Sequence, residues 1–181
     1  STYTLEVSQS RGMIYDCQGQ SLVNDSFHYM AAVLPNNESA ATLRSQFASA
    51  DLWREKMNSR VPFLTEVNTD AVRGEGVEVF SVPDRYSMDY TAPHIVGYVD
   101  ADGVGQTGIE RIFNDFLKSV GEKVKVRYQI DAMGRALSGN GIEILQEGNR
   151  SDGVVLTLYK GLQQACERIL SGAEVNGAIV V

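Results

Sequence analysis

The segment RGMIYDCQG at residues 11–19 places a strand, two charged residues and a turn next to one another. Methionine, isoleucine and tyrosine at 13–15 favour a strand. The following DCQG has the Asp-x-x-Gly spacing of a type I turn, whose last position suits glycine because glycine tolerates positive φ. We therefore predict a hairpin in which residues 21–23 return as the second strand. Arg11 and Asp16 then lie at opposite ends of the first strand, where each serves a neighbouring segment rather than the other.

The rest of the chain mixes strands and helices without strict alternation, which favours an α+β fold over a doubly wound α/β fold. Alternating or continuous apolar runs predict the strands, and helical periodicity predicts the helices. Pro62 keeps its strand near a sheet edge, because proline lacks an N–H donor. The predicted strands cover 3–7, 61–67, 76–82, 123–130, 141–145, 152–158 and 178–181, and the predicted helices cover 39–58, 107–120 and 162–170.

The longest predicted helix, at residues 39–58, contains neither glycine nor proline. Its apolar side chains recur at helical spacing, which favours a place in the core over a partner-facing patch. Asp51 could cap a second helix, so a break near 49–51 would divide the segment in two. The apolar stripe consists of Ala40, Leu43, Phe47, Ala50 and Trp53.

Length and charge restrict the classes of partner. The chain has 181 residues, enough for one domain or two small subdomains. Its formal net charge of −7 argues against nucleic acid or anionic lipid as the main partner, since both select basic patches. There is no apolar run long enough to span a bilayer and no recognisable signal peptide. Two cysteines are too few to predict a disulfide framework, although they could form a single disulfide bond.

Few residues are candidates for chemistry. Cys17 with His28, or Cys166 with His94, could form a thiolate and base, but neither pair has the context of a known nucleophile. The segment DADG at 100–103 shares part of a calcium-loop pattern but lacks the full ligand set, so a turn is favoured. Two histidines without ligand spacing argue against zinc. We therefore predict no catalytic residue, no metal site and no cofactor.

The pattern at 11–19 also resembles the opening motif of the amino-terminal, non-catalytic module of class B penicillin-binding proteins, the peptidoglycan transpeptidases. Four further segments resemble family motifs in the same order along the chain. These segments are RY at 85–86 with HIVGYV at 94–99, read as a strand, then GQTGIE at 105–110, DAMGR at 131–135, and VVLT at 154–157 with LQQACE at 162–167.

The resemblance implies a structural rather than catalytic role for the matching positions. Departures from the family pattern indicate a divergent member: RYSMD at 85–89 lacks the family's Arg-x-Pro-x-Gly, and Asn114 stands where the family has an acid. The matching residues are Arg11, Gly12, Asp16, Gly19, Arg85, His94, Gly97, Gly105, Gly108, Glu110, Asp131 and Gly134.

Two compatible interpretations of Glu110 stay open. Thr107 and Glu110 have the spacing of a helix capping box, which the carboxylate of Glu110 could close. The side chains of Ile109, Ile112, Phe113 and Phe116 would then share one helix face. In the second interpretation, which can hold together with the first, Glu110 pairs with Arg11 or Arg85 and connects the hairpin to the helix, in the way that the family's motifs meet.

The resemblance implies an elongated, mixed α+β fold like the penicillin-binding-protein dimerisation domain, with hairpins and two or more helices. Residues 1–150 would form this pedestal domain, and residues 151–181 would be the junction and first elements of a truncated transpeptidase domain. The chain has no Ser-x-x-Lys, so penicillin binding and D,D-transpeptidation would belong to that downstream domain. An apolar strand at 178–181 would lack its partner strands, so we expect residues 151–181 to be poorly ordered or to pair with another molecule.

The implied partners are the downstream transpeptidase domain, cell-wall synthesis proteins and, as an open case, a second copy of the chain. An amino-terminal membrane anchor that precedes Ser1 would place the module on the extracytoplasmic face of a bacterial membrane. The anchor would be the only membrane contact, and no nucleic acid is expected. Two rival functions are a stand-alone secreted binding protein of the same fold and a small cysteine hydrolase.

Overall fold

The computed structural model describes residues 1–46, 51–137, 139 and 141–181, which form two compact units that interleave along the chain. Unit 1 contains Ser1–Ser10, Phe27–Pro83 and Glu122–Gly148. Unit 2 contains Arg11–Ser26, Asp84–Gly121 and Asn149–Val181. The predicted boundary at residue 150, between a pedestal domain and the junction to a transpeptidase domain, is a different division and stays a prediction.

The mixed α+β fold class is confirmed. In chain order, the strands are β1 (Thr2–Gln9), β2 (Met13–Tyr15), β3 (Ser26–Val33), β4 (Phe63–Val67), β5 (Val77–Asp84), β6 (Lys123–Gln129), β7 (Ile142–Glu147) and β8 (Gly153–Val155). The helices are α1 (Asn37–Gln46), α2 (Asp51–Ser59), α3 (Pro93–Val96), α4 (Gly108–Ile112), α5 (Asn114–Val120) and α6 (Lys160–Gly172).

Unit 1 holds two three-stranded sheets. The first has the order β1-β6-β7 and is antiparallel, with Thr2 opposite Gln129 and Val126 opposite Ile144. Alternate residues of β6 are buried, as expected for a strand with one face on a core. The second sheet has the order β4-β3-β5, so β4, which follows Pro62, is an edge strand as predicted.

The central strand of that second sheet, β3, is absent from the sequence prediction. Its carboxy-terminal half is the continuous apolar run Ala31, Ala32 and Val33, and all three residues are fully buried. A strand that is buried on both faces shows no alternation, which removes the signal that identified the other strands.

The segment predicted as one long helix contains α1, which ends at Gln46, and α2, which begins at Asp51. Leu43 of α1 and Trp53 of α2 are buried together with Ala31, Val33 and Phe63 in one core cluster of unit 1. Phe47, Ala50 and most of the predicted break lie outside the described residues. The core assignment of the stripe is therefore confirmed at the two described positions that reach the cluster.

In unit 2, the predicted hairpin is wrong in one respect. The turn after β2 forms, but Ser21 makes only an isolated bridge with Tyr15, and the strand that pairs with β2 is β8, in parallel. Leu22 and Val23 are both buried in the core of unit 2. Consecutive buried side chains do not fit the two-faced geometry of a strand in a two-stranded ribbon, so the returning segment is irregular.

Two further predictions about unit 2 need correction. The HIVGYV segment is not a strand, because Pro93–Val96 forms the short helix α3. The helix predicted at 107–120 is divided at Phe113 into α4 and α5. Of its predicted apolar face, Ile109 packs on the core of unit 2, whereas Ile112 is 73% exposed.

The carboxy-terminal segment contains the strand predicted within 152–158 and the helix predicted at 162–170, as β8 and α6. Strand β8 pairs with β2, and α6 spans thirteen residues, so the expectation of poor order is wrong for these two elements. Residues 178–181 form no strand, and Val180 and Val181 are exposed. No helix within the described residues has the length and apolarity needed to cross a membrane.

Candidate functional site

A buried polar cluster in unit 2 is centred on Glu110, whose side chain is completely inaccessible to solvent. Arg85 contacts the carboxylate with two nitrogens: Nε donates to Oε2 at 3.2 Å, and Nη2 donates to Oε1. The hydroxyl of Tyr86 donates to Oε2 at 2.6 Å, and Nε of Arg11 lies 3.4 Å from the same oxygen. One carboxylate therefore holds three side chains from two distant segments.

The guanidinium of Arg11 joins further parts of this cluster. Its Nη1 donates to the carbonyl of Gly103 at 2.9 Å and to Oδ1 of Asn114 at 3.0 Å. Its Nη2 donates to the carbonyl of Glu110 at 3.1 Å. Burial lowers the pKa of Arg11, and the nearby carboxylate of Glu110 opposes this effect. Asn114 accepts one of these bonds with a neutral amide oxygen, at the position where the resembling family has an acid.

Asn24 links the two arginines through the backbone. Arg85 Nη1 donates to the carbonyl of Gly12 at 2.7 Å and to Oδ1 of Asn24 at 3.3 Å. Asn24 Nδ2 donates to the carbonyl of Arg11 at 3.1 Å. The backbone of Asn24 is left-handed, with φ of 58°, a conformation that asparagine adopts more readily than most residues. We call Arg11, Asn24, Arg85, Tyr86, Glu110 and Asn114 the Glu110 cluster.

The Glu110 cluster resolves the two interpretations of Glu110. Thr107 makes no side-chain hydrogen bond that caps α4, so the structure does not contain the capping box. Both arginines that were considered as ion-pair partners contact the carboxylate. A buried carboxylate is stabilised far more by two guanidinium groups than by a backbone cap, because charge is costly to bury unpaired.

Two glycines of the motif allow the backbone around this cluster to pack closely. A Cβ at Gly105 would overlap the backbone carbonyl of Glu110, and a Cβ at Gly97 would overlap the carbonyl of Thr107. Gly97 also has φ of 81°, where other residues are strained. The requirement for glycine at these positions is therefore steric, and it brings the 97–108 segment into contact with α4.

Asp16, at the other end of β2, acts on α6. Its Oδ1 accepts N–H groups from Gln18 and Gln20 at 2.9 and 2.8 Å, which closes the turn. Its Oδ2 accepts the N–H of Lys160 at 2.9 Å, at the first residue of α6. Burial opposes ionisation here, but the backbone donors of Lys160, Gln20 and Gln18 outweigh it and lower the pKa of Asp16. The acid thus anchors the start of α6.

Two side chains of α6, Lys160 and Glu167, also fix the helix within unit 2. The amino group of Lys160 donates to the carbonyl of Ser21 at 2.7 Å and lies 3.7 Å from a carboxylate oxygen of Asp25. Farther along the helix, Glu167 accepts the N–H of Ala92 at 2.8 Å. Helix α6 is therefore held at its first turn and again in its middle, although none of its residues is fully buried.

The remaining motif residues lie in turns, at close backbone packing contacts or on the surface. Gly19 and Gly134 close the turns that begin at Asp16 and Asp131, Gly12 and Gly108 pack closely against neighbouring segments, and His94 is an exposed residue of α3. Sequence reasoning missed Asn24, Tyr86 and Lys160. The position of Tyr86 next to Arg85 is the one local signal that could have identified any of these three.

The other candidate sites can be placed in the described part of the chain. Cys17 and Cys166 are free thiols, and Cys17 is exposed. Asp100 Oδ1 accepts the N–H groups of Asp102 and Val104, both at 2.9 Å, so residues 100–103 form a hydrogen-bonded turn. Among the described residues, His, Cys, Asp and Glu side chains form no group of three that could hold a metal ion.

Solved structures of penicillin-binding proteins match this fold. The chain aligns with a peptidoglycan synthetase from Bifidobacterium adolescentis at 20% sequence identity and a TM-score of 0.57, covering 96% of this chain and 39% of that one. It aligns with penicillin-binding protein 2X from Streptococcus thermophilus at 18% identity and a TM-score of 0.52, covering 94% of this chain and 31% of that one. The chain thus spans less than half the length of either structure. Neither a protein-family model nor a curated protein sequence matches it.

Nearly the whole chain takes part in both alignments, so the similarity includes both units. TM-scores above 0.5 indicate a shared fold, and sequence identities at or below 20% establish no more than that. The resemblance first inferred from five short motifs is confirmed at that level. The chain therefore has the α+β fold that forms part of these penicillin-binding proteins.

Proposed function

We propose that this chain is the non-catalytic module of a peptidoglycan-synthesising, class B penicillin-binding protein. It positions a downstream D,D-transpeptidase domain above the membrane and offers surfaces to cell-wall synthesis proteins. In this proposal, residues 151–181 are the junction to that domain, and an anchor preceding Ser1 holds the module on the extracytoplasmic face. Self-association into a homodimer is a further part of the proposal.

The observation that carries the proposal is the connection made by β2. Arg11 precedes this three-residue strand and enters the Glu110 cluster, and Asp16 follows it and anchors the start of α6. The same strand pairs with β8, which leads into α6. A buried ion cluster is thus coupled through one short strand to the helix that would lead into the next domain. Such an arrangement supports a rigid mount.

The sequence supports a mount rather than an enzyme. A penicillin-sensitive acyltransferase needs a serine one helical turn before a lysine, and no Ser-x-x-Lys occurs in the 181 residues. The net charge of −7 also supports protein partners over nucleic acid. Contacts with other proteins would then draw on apolar and aromatic side chains, as interface cores commonly do.

Labelling with a fluorescent penicillin tests the proposal. The reagent is added to this chain and to a version extended through the natural carboxy terminus of the gene. We expect only the extended protein to become labelled, and we expect labelling to disappear when the serine of its Ser-x-x-Lys is changed to alanine. Labelling of the short chain would overturn the non-catalytic assignment. A stop codon directly after Val181 would favour the stand-alone binding protein instead.

A further inference from the structure

Three turns in the chain share one hydrogen-bonding pattern. In each, an aspartate carbonyl accepts the N–H of a glycine three residues later, and Oδ1 of the same aspartate accepts the N–H groups two and four residues later. The aspartates are Asp16, Asp100 and Asp131. All three turns expose their third residue to solvent.

The third turn differs from the others in what it exposes. The third residue is polar in two cases, Gln18 and Asp102, but it is Met133 in the last case. The side chain of Met133 is 76% exposed, and that of Leu137, just after the turn, is 50% exposed. Identical backbone geometry accommodates polar residues elsewhere in the chain, so the fold itself does not require an apolar residue at this tip.

The charge of this tip is also unlike the rest of the chain. The only charged residues between positions 128 and 137 are Asp131 and Arg135, and they neutralise each other in an ion pair at 2.8 Å. Residues 128–137 thus carry no net charge in a chain with a net charge of −7, although Glu38, Arg60 and Glu75 line the same cavity as Asp131 and Arg135. Exposed apolar side chains on a turn without net charge suit the boundary between lipid headgroups and acyl chains better than an acidic surface does.

The amino terminus lies beside this tip within unit 1. Ser1 and Ile130 exchange backbone hydrogen bonds of 3.4 and 2.9 Å, which continue the antiparallel register of β1 and β6. A segment that precedes Ser1 would therefore run on past Ile130, next to the turn. Under the proposed function, that segment is the membrane anchor.

We infer that the turn at 130–137 is a second membrane contact of this protein, in which Met133 and Leu137 enter the headgroup–acyl boundary of a phospholipid bilayer beside the anchor. The inference rests on the proposed function, because the anchor brings the tip to the membrane. The contact fixes how unit 1 stands on the bilayer, since one anchoring segment alone leaves rotation free. The sequence alone predicts no membrane contact besides the anchor.

A fluorescent reporter at position 133 tests the contact. The chain carries an amino-terminal histidine tag and the changes Cys17→Ser and Cys166→Ser, and it is tethered to vesicles of phosphatidylethanolamine and phosphatidylglycerol with a nickel-chelating lipid. Met133→Cys receives an environment-sensitive nitrobenzoxadiazole label. The matched control is Gln9→Cys, an exposed position at the other end of β1, roughly 20 Å farther along the strand.

We expect the emission of the label at 133 to shift to shorter wavelength and to brighten on tethering, while the label at 9 does not change. No shift at 133, or equal shifts at both positions, would overturn the inference. A label at Leu137→Cys should lose part of its shift when Met133→Gln is added, because glutamine is the residue that the first turn exposes at this point. An undiminished shift would overturn the role assigned to Met133.

The two proposals fail separately. If the extended protein is labelled by penicillin but the reporter at 133 stays in water, only the membrane contact is wrong. If the extended protein is not labelled, the proposed function is wrong whatever the reporter shows.

Discussion

Arg85 and Glu110, twenty-five residues apart, form a two-point ion pair inside unit 2, and the carboxylate of Glu110 has no exposure to solvent. The pair has a second guanidinium, that of Arg11, on one side and the hydroxyl of Tyr86 on the other. Burying these charges is tolerable because each group has several partners.

Glu110→Ala should destabilise the chain by about 3 kcal/mol or more, because it leaves two buried arginines without their counter-charge. Urea unfolding followed by circular dichroism measures the loss. The matched control is Glu143→Ala, since the Glu143–Arg127 ion pair is about half exposed. That change should cost less than about 1 kcal/mol. Equal losses for the two variants would contradict the central position of Glu110.

Arg85→Lys should also destabilise unit 2, although it keeps the charge. A lysine cannot donate to both carboxylate oxygens of Glu110 and to the carbonyl of Gly12 with one planar group. We expect a loss of roughly 1.5–3 kcal/mol, the range for a hydrogen bond to a charged group. Arg127→Lys, at an exposed pair on β6, is the control and should be nearly neutral. A neutral Arg85→Lys variant would show that charge alone, without geometry, holds the cluster.

Asp16→Asn should change how stability depends on pH. Backbone donors hold the pKa of Asp16 below that of an unfolded aspartate, which is about 3.9. The ionised form therefore stabilises the fold above about pH 4, and this stabilisation is lost as the pH falls through the lower, folded-state pKa. Melting temperatures between pH 7 and pH 2 should show a gap between wild type and variant that narrows in acid.

Asp131→Asn separates this effect from general acid sensitivity. The pKa of Asp131 is also lowered, chiefly by the backbone N–H of Arg135, but its turn belongs to unit 1, whereas α6 belongs to unit 2. In both variants the melting temperature should depend less on acid pH than it does in the wild type. Only Asp16→Asn should accelerate hydrogen exchange in the first turn of α6. A gap for Asp16→Asn that stays constant from pH 7 to pH 2 would exclude ionisation as the cause.

Gly105→Ala should destabilise unit 2 because its Cβ would overlap the backbone carbonyl of Glu110. Backbone atoms cannot turn aside as a side chain can, so we expect a loss of at least about 1–3 kcal/mol, typical of overpacking. Gly172→Ala is the control: it lies at the end of α6 with open space around its Cβ position. This change should stabilise the helix by up to about 1 kcal/mol. A tolerated alanine at 105 would contradict the close approach.

The sequence predicted the edge position of β4, and one of its two interpretations of Glu110 named Arg11 or Arg85 as the ion-pair partner. It missed β3, whose apolar run shows no period, and it missed Asn24, whose amide becomes important only when Arg11 and Arg85 meet. The anchoring of α6 by Asp16 joins residues 144 positions apart. No local pattern can predict such a contact, because its energy depends on which groups are buried together.

The sequence by itself determined the three Asp-x-x-Gly turns, since the aspartate accepts every hydrogen bond of the turn and all the donors are backbone N–H groups within the next four residues. The second carboxylate oxygen binds a nearby residue in two of these turns, Gln106 at Asp100 and Arg135 at Asp131. Only tertiary structure decided what it does at Asp16, where it accepts the N–H of Lys160, 144 positions away, and anchors α6. Tertiary structure also pairs β2 in parallel with β8, from the far end of the chain. It places the carboxylate of Glu110 against two arginines, whereas the sequence alone also allowed a helix cap. Short-range hydrogen bonds fix the local turns. The choice among distant partners follows from the free-energy cost of burying a charge or a backbone N–H or C=O group that has no partner.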